Sequence, residues 1–171
     1  MVHGDATLAQ LHTVLQVAMG WEDSHLHCFY IGDDRYASAQ HGALDDGDVD
    51  ESTVCVADVL APNERATYEY DFGDSWEHRL LVEKVDVPIV ADGVARCTAG
   101  GRSCPPEDCG GSWGYAHLLE AIADPAHEEH EELLEWVGED FDPEHFDHEA
   151  VNTVLDRIPL RSRPLRSRPR R

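Results

Sequence analysis

The sequence predicts a single α+β domain, and three observations predict it. Apolar residues recur at spacings of three and four near the N-terminus, aromatic residues alternate on either side of a Gly-Asp-Ser turn, and helical spacing returns after residue 112. A chain of 171 residues is long enough for one domain with a substantial core. The expected architecture is a small antiparallel sheet packed with an N-terminal helix and three C-terminal helices, over residues 1–158.

Thr7 suits the N-cap of a helix from Leu8 to about Met19, with Leu8, Leu11, Leu15 and Ala18 on one face and Gly20 at its end. His25 to Ile31 and Arg35 to Ser38 read as two short strands about Gly32-Asp33-Asp34. Gly42 to Ser52 carries four aspartates and one glutamate and reads as a solvated loop. Val54 to Leu60 is a short ordered piece. Ala66 to Phe72 and Trp76 to Val87 form the strongest hairpin signal, with Gly73-Asp74-Ser75 as the turn. Tyr68, Tyr70 and Phe72 fall on one face there, and Trp76, His78, Leu80 and Val82 on one face of the partner strand. Pro88 to Gly101 is a connection. In Cys104-Pro105-Pro106-Glu107-Asp108-Cys109-Gly110-Gly111 the prolines forbid a helix and the glycines permit a sharp reversal, so this is a built loop. It is expected to fold against the aromatic hairpin as one corner. Helices are expected at Trp113 to Ala123, Ala126 to Val137 and Pro143 to about Ile158.

Charge divides the chain. Up to Asp156 there are 35 acidic residues against six basic ones, whereas from Arg157 onward there are seven arginines and no acid. The body repels nucleic acid; residues 159–171, with the repeat Leu-Arg-Ser-Arg-Pro and no apolar face, are expected to be disordered. No run approaches the ~18 to 20 apolar residues of a membrane span, and no signal peptide is recognisable, so a cytoplasmic protein without membrane contact is expected. Five cysteines, an odd number, argue for reduced thiols over a disulfide framework.

Several motifs stand in order along the chain: Leu8 to Trp21 with Ser24-His25-Leu26-His27, Tyr70-Asp71-Phe72-Gly73-Asp74 with Trp76 and His78, and Cys97 with the Gly101 to Gly111 loop. Gly114-Tyr115, Asp124-Pro125, Phe141-Asp142-Pro143-Glu144 and Phe146-Asp147 follow. Together they resemble the plasmid pRi Orf-three-like family, whose members are also described as insertion-element passenger proteins of the TnpR type. The resemblance implies a compact α+β domain of plasmids, insertion elements and chromosomes, with no established activity and an unknown protein partner. Such proteins usually begin with an apolar strand ahead of the first helix. This chain opens almost at the helix, so that strand is expected to be absent: either the true start lies upstream, or a sheet edge is left exposed or used for pairing.

Three chemical readings compete with that of an accessory or interaction protein. Cys97, Cys104 and Cys109, with His27 or His78 as a fourth ligand, form a candidate zinc set, as in a structural or nucleic-acid-handling module; their spacing lacks the usual Cys-x-x-Cys knuckles, and packing is the competing role. His25 and His27 share a strand face with His78 as a candidate partner across the sheet. Asp71, Asp74, Glu77, Glu107 and Asp108 offer carboxylates for a metal-dependent hydrolase with His78, in which Asp71, His78 and Glu107 are the candidate catalytic residues. Turn formation and the general acidity of the chain account for the same carboxylates without catalysis. His127, His130, His145 and His148 lack the Glu-x-x-His pairing of di-iron bundles and read as solvated surface. The arginine-rich tail offers only sequence-independent phosphate contacts to nucleic acid, or docking onto the acidic body.

Overall fold

The structure, a computed structural model, describes residues 1–40, 42, 44–85 and 93–160. Helix α1 spans Leu8–Met19. Its start is a capping box: the Thr7 side chain accepts from Gln10 N at 3.2 Å while Gln10 Oε1 accepts from Thr7 N at 3.3 Å. Gly20, at φ 80°, closes it in the left-handed region. Thr7→Ala is expected to cost about 1 kcal/mol in urea unfolding, since it removes the acceptor and leaves Gln10 N unpaired.

Strands β1 (His27–Ile31), β2 (Asp34–Ala37), β3 (Val49–Asp50), β4 (Arg65–Tyr70) and β5 (Trp76–Leu81) form one sheet in the order β3-β2-β1-β4-β5. All neighbours are antiparallel except β2 and β3, so the sheet is mixed. Pairing of His27 with Tyr70, Phe29 with Tyr68, Tyr68 with His78 and Tyr70 with Trp76 puts all six side chains on one face. That face packs with α1 in the main core, where Leu8 and Leu11 meet Phe29, Tyr68 and Tyr70. A second core joins Val14 of α1 to Val94, Ala95 and Leu155.

The remaining helices are α2 (Val56–Val59), α3 (Gly111–Ala123), α4 (His130–Val137) and α5 (His148–Leu155). Helix α5 packs on α1, and α3 on α4. Several expectations need correction. Helix α4 starts at His130, not Ala126, and β5 ends at Leu81, short of Val87. The acidic stretch before Ser52 is not all solvated loop: β3 adds to the sheet, a 3-10 turn covers Glu51–Thr53, and Glu51 is buried. The last helix starts at His148, not Pro143, because the Asp147 carboxylate caps Glu149 N and Ala150 N, and it stops at Leu155. Pro143 instead accepts a hydrogen bond from Ser103 N.

Pro159 is held by Gln10 Nε2 at 3.0 Å and by a bridge to Gly93. The arginine-rich stretch 161–171 lies outside the described residues. At the other end, Val2 bridges Ala95 in antiparallel fashion, and the Met1 amino group donates to Arg96 O. No helix among the described residues is long and apolar enough to cross a membrane.

Candidate functional site

The cysteine loop does fold onto the aromatic hairpin. Trp21, at the end of α1, lies against Tyr70 with ring centroids 4.6 Å apart, tilts over Trp76 and meets His78 edge-on, and its indole N–H donates to Pro105 O at 2.9 Å. Cys104 packs against the same core. Beyond it, Gly110 N donates to Asp74 Oδ2 at 3.0 Å, tying the loop to the hairpin turn. Gly111 then lies so close to that turn that an added Cβ would sit 2.6 Å from Asp74 O. Glycine is required there on two counts, because its φ is also +65°.

This corner gathers one imidazole and three carboxylates. His25 Nδ1 lies 3.8 Å from Asp71 Oδ1, and its Nε2 lies 3.2 Å from Asp108 Oδ1 and 3.7 Å from Glu107 Oε2. His25, Asp71 and Asp108 each present a ligand atom within 4.8 Å of the other two. His25 Nε2 is buried yet has no hydrogen-bond partner among the described residues. Backbone conformation aims the acids: Asp71 and Asp108 both adopt φ 56°, the left-handed region that Asp tolerates better than most residues. Asp71 is fixed further, its N–H donating to Leu26 O and its Oδ1 accepting from Gly73 N.

Glu107 is held by its other oxygen. Oε1 accepts from the Tyr70 hydroxyl and from Glu22 N, both at 2.9 Å, leaving Oε2 facing His25. Burial, and then Glu107, push the Tyr70 phenol above its ordinary range, so it stays protonated as the donor. An open groove of about 480 Å³ between α3 and α4 reaches this corner through Asp108 and Cys109.

Deeper, His12 and His27 stack face to face with centroids 3.4 Å apart. His12 contacts the Tyr68 hydroxyl and Asp23, each at 2.8 Å, and His27 contacts Glu51 at 2.9 Å. His78 is apart from both groups, its Nδ1 meeting Trp76 O, and burial lowers its pKa. The Asp71, Glu107 and His78 set is therefore only partly assembled: the two carboxylates converge, and the imidazole between them is His25. Glu77 is exposed opposite Glu69, and Asp74 faces Gly110.

The cysteines do not assemble with His27 or His78. Among the described residues, no group of three ligand atoms within 4.8 Å contains a thiol. Cys97 packs in the second core and Cys104 in the first. Burial pushes Cys104 up to about 12, with Glu107 and Cys109 adding to it, and burial and Asp74 push Cys109 up to about 11. Carboxylates beside a thiol oppose the thiolate that zinc requires. Alkylation of both thiols by iodoacetamide at pH 8 is expected to run more than about 100-fold slower in the folded chain than in urea. Because the folded pKa values are raised, the stability gained from keeping these thiols protonated is complete below their unfolded value of about 8.5. It is lost as pH rises through about 11 to 12.

The family model for plasmid pRiA4b ORF-3-like proteins matches residues 1–150. The chain belongs to that family. Within it, the chain is 39% identical over 152 residues to the uncharacterized protein y4hQ of Sinorhizobium fredii, covering 87% of this chain and 77% of the relative. It is also similar to the crystal structure of MM3350, a protein of unknown function from Methanosarcina mazei, at 37% identity and a TM-score of 0.79. That similarity covers 86% of this chain and 84% of the other.

For this pRiA4b ORF-3-like chain, sequence reasoning reached Asp71, Glu107 and Asp108 but assigned their histidine to β5. His25 lies before β1 begins, so strand alternation does not decide its direction. The signal for it was the end of β4, where Asp71 leaves the strand and turns back toward Leu26. His12, Asp23 and Glu51 were missed altogether. His12 sits inside an apolar helical repeat and Glu51 inside an acidic run, and neither setting singles out one residue.

Proposed function

We propose that the protein is an accessory protein of plasmids and insertion elements, of the passenger TnpR type, whose corner holds a divalent cation that serves hydrolysis of a phosphate ester. The observation that carries this reading is the His25 ring: both nitrogens face carboxylates, and Nε2 is buried without a hydrogen bond. One imidazole among carboxylate oxygens is a donor set for Mg²⁺ or Mn²⁺. Asp71, Glu107, Asp108 and His25 would hold such an ion, which would offset the mutual repulsion of the carboxylates and supply Lewis acidity toward a phosphoryl oxygen and a water. Asp71 and Glu107 are held by hydrogen bonds, whereas the Asp108 side chain pairs with His25 and is open to solvent.

The groove that reaches Asp108 supplies an approach for substrate. The seven arginines from Arg157 onward give an otherwise acidic chain a segment that attracts phosphate. The test is turnover of bis-p-nitrophenyl phosphate with and without Mn²⁺. Mn²⁺-dependent hydrolysis is expected, falling at least about 100-fold in His25→Ala and Asp71→Asn and unchanged in His78→Gln. Absence of turnover, or turnover lost in His78→Gln but kept in His25→Ala, contradicts the reading.

A further inference from the structure

The stacked histidines bring ligand atoms together with Asp23, and they are separate from the His25 corner. His12 and His27 are buried, at 4% and 1% exposure, and each offers a donor atom within 4.8 Å of the other and of Asp23. The remote nitrogen of each ring is already engaged. His27 directs Nε2 to the Glu51 carboxylate, and His12 directs Nδ1 to the Tyr68 hydroxyl, which also accepts from Gln16 Nε2 at 2.9 Å. The near side is different. Among the described residues, His27 Nδ1 is buried with no hydrogen-bond partner, and His12 Nε2 meets Asp23 Oδ1.

We propose that His12, Asp23 and His27 form a second cation site, suited to a borderline divalent ion such as Zn²⁺, with Glu51 and Tyr68 orienting its two imidazoles. A histidine bound to a metal usually donates its remote N–H to a carboxylate or another fixed acceptor, which selects the tautomer and turns the lone pair to the ion. Glu51 does this for His27: with the proton on Nε2, the Nδ1 lone pair is the one left over. For His12, binding through Nε2 places the ring proton on Nδ1, donating to Tyr68 Oη. Two imidazoles and one carboxylate leave a fourth position open. It opens to solvent on the Asp23 side, since that side chain is 44% exposed.

Two parallel rings send their lone pairs out in parallel, so binding requires the His12 and His27 planes to tilt apart from their present 3°. Asp23 stands at φ 57° and is held by Gln16 Oε1, so the carboxylate is presented to the rings before any ion arrives. Nitrogen donors distinguish this site from the oxygen-rich corner.

The test uses the full chain after chelator treatment, titrated with Zn²⁺ by calorimetry and with Co²⁺ by absorption spectroscopy. One equivalent of Zn²⁺ is expected to bind, and Co²⁺ to show the visible bands of low-symmetry nitrogen and oxygen ligation. Asp23→Asn keeps a residue that tolerates the left-handed conformation, and it is expected to weaken binding at least about tenfold, as is Glu51→Gln. His12→Gln serves as a further variant, with circular dichroism reporting its fold. Asp71→Asn, which disables the corner, is expected to leave Zn²⁺ binding intact. Failure to bind Zn²⁺, or binding that survives both Asp23→Asn and His12→Gln in folded protein, overturns the proposal. Loss of Zn²⁺ binding in Asp71→Asn alone also overturns it.

Discussion

Gly111→Ala is expected to lower the unfolding free energy by about 2 to 5 kcal/mol, combining about 1 to 2 for a left-handed non-glycine residue with about 1 to 3 for overpacking. The clash is with backbone: the new Cβ would lie 2.6 Å from Asp74 O, and no side-chain rotation relieves it. Relief requires the loop to lift from the hairpin turn, which also breaks the Gly110 to Asp74 bond and draws Glu107 and Asp108 away from His25. Gly20→Ala is the control. It shares the left-handed conformation, at φ 80°, but its Cβ meets nothing within 4 Å, so a loss of only about 1 kcal/mol is expected. Urea unfolding of the two variants separates contact from conformation. Equal losses would show that the loop does not bear on the turn.

Glu51→Ala is the second large effect, expected at about 1 to 3 kcal/mol in the same measurement. Glu51 and His27 are both almost wholly buried, and among the described residues the carboxylate is the sole hydrogen-bond partner of the His27 ring, whose Nδ1 has none there. Truncation leaves a buried imidazole without any partner, and no water replaces a group so enclosed at low cost. Asp46→Ala, in the same acidic stretch but exposed, is expected to change stability by less than about 0.5 kcal/mol. The contrast separates one structural acid from its solvated neighbours.

That contrast also shows what local sequence can and cannot carry. Thr7, Gly20 and the alternating aromatics of the hairpin specify their own conformations, so α1, β4 and β5 were legible from adjacent residues. The prolines and glycines of the cysteine loop likewise marked a built segment expected against the hairpin, whereas its hold on Trp21 and on the Tyr70 hydroxyl was not legible. Glu51 was not legible, because burial depends on a two-residue parallel pairing of β3 with β2 that leaves no periodicity to read. The start of α5 shifted for a comparable reason: Pro143 and Asp147 are both good helix starters, and the contact of Pro143 O with Ser103 keeps the earlier one outside the helix. The site was legible as a set of acids and opaque as a geometry. Asp71 and Asp108 take left-handed conformations that composition does not announce, and these turn them onto His25, not His78.

The most direct test of the central claim, that the loop and the hairpin build one cation site around His25, is pulsed electron paramagnetic resonance of Mn²⁺ added to the full chain. The account predicts one bound Mn²⁺ with a nitrogen coupling from a single imidazole. That coupling disappears in His25→Ala, and binding is lost in Asp71→Asn while circular dichroism is unchanged. Mn²⁺ that stays free in solution, or a bound ion whose nitrogen coupling persists in His25→Ala, would contradict it.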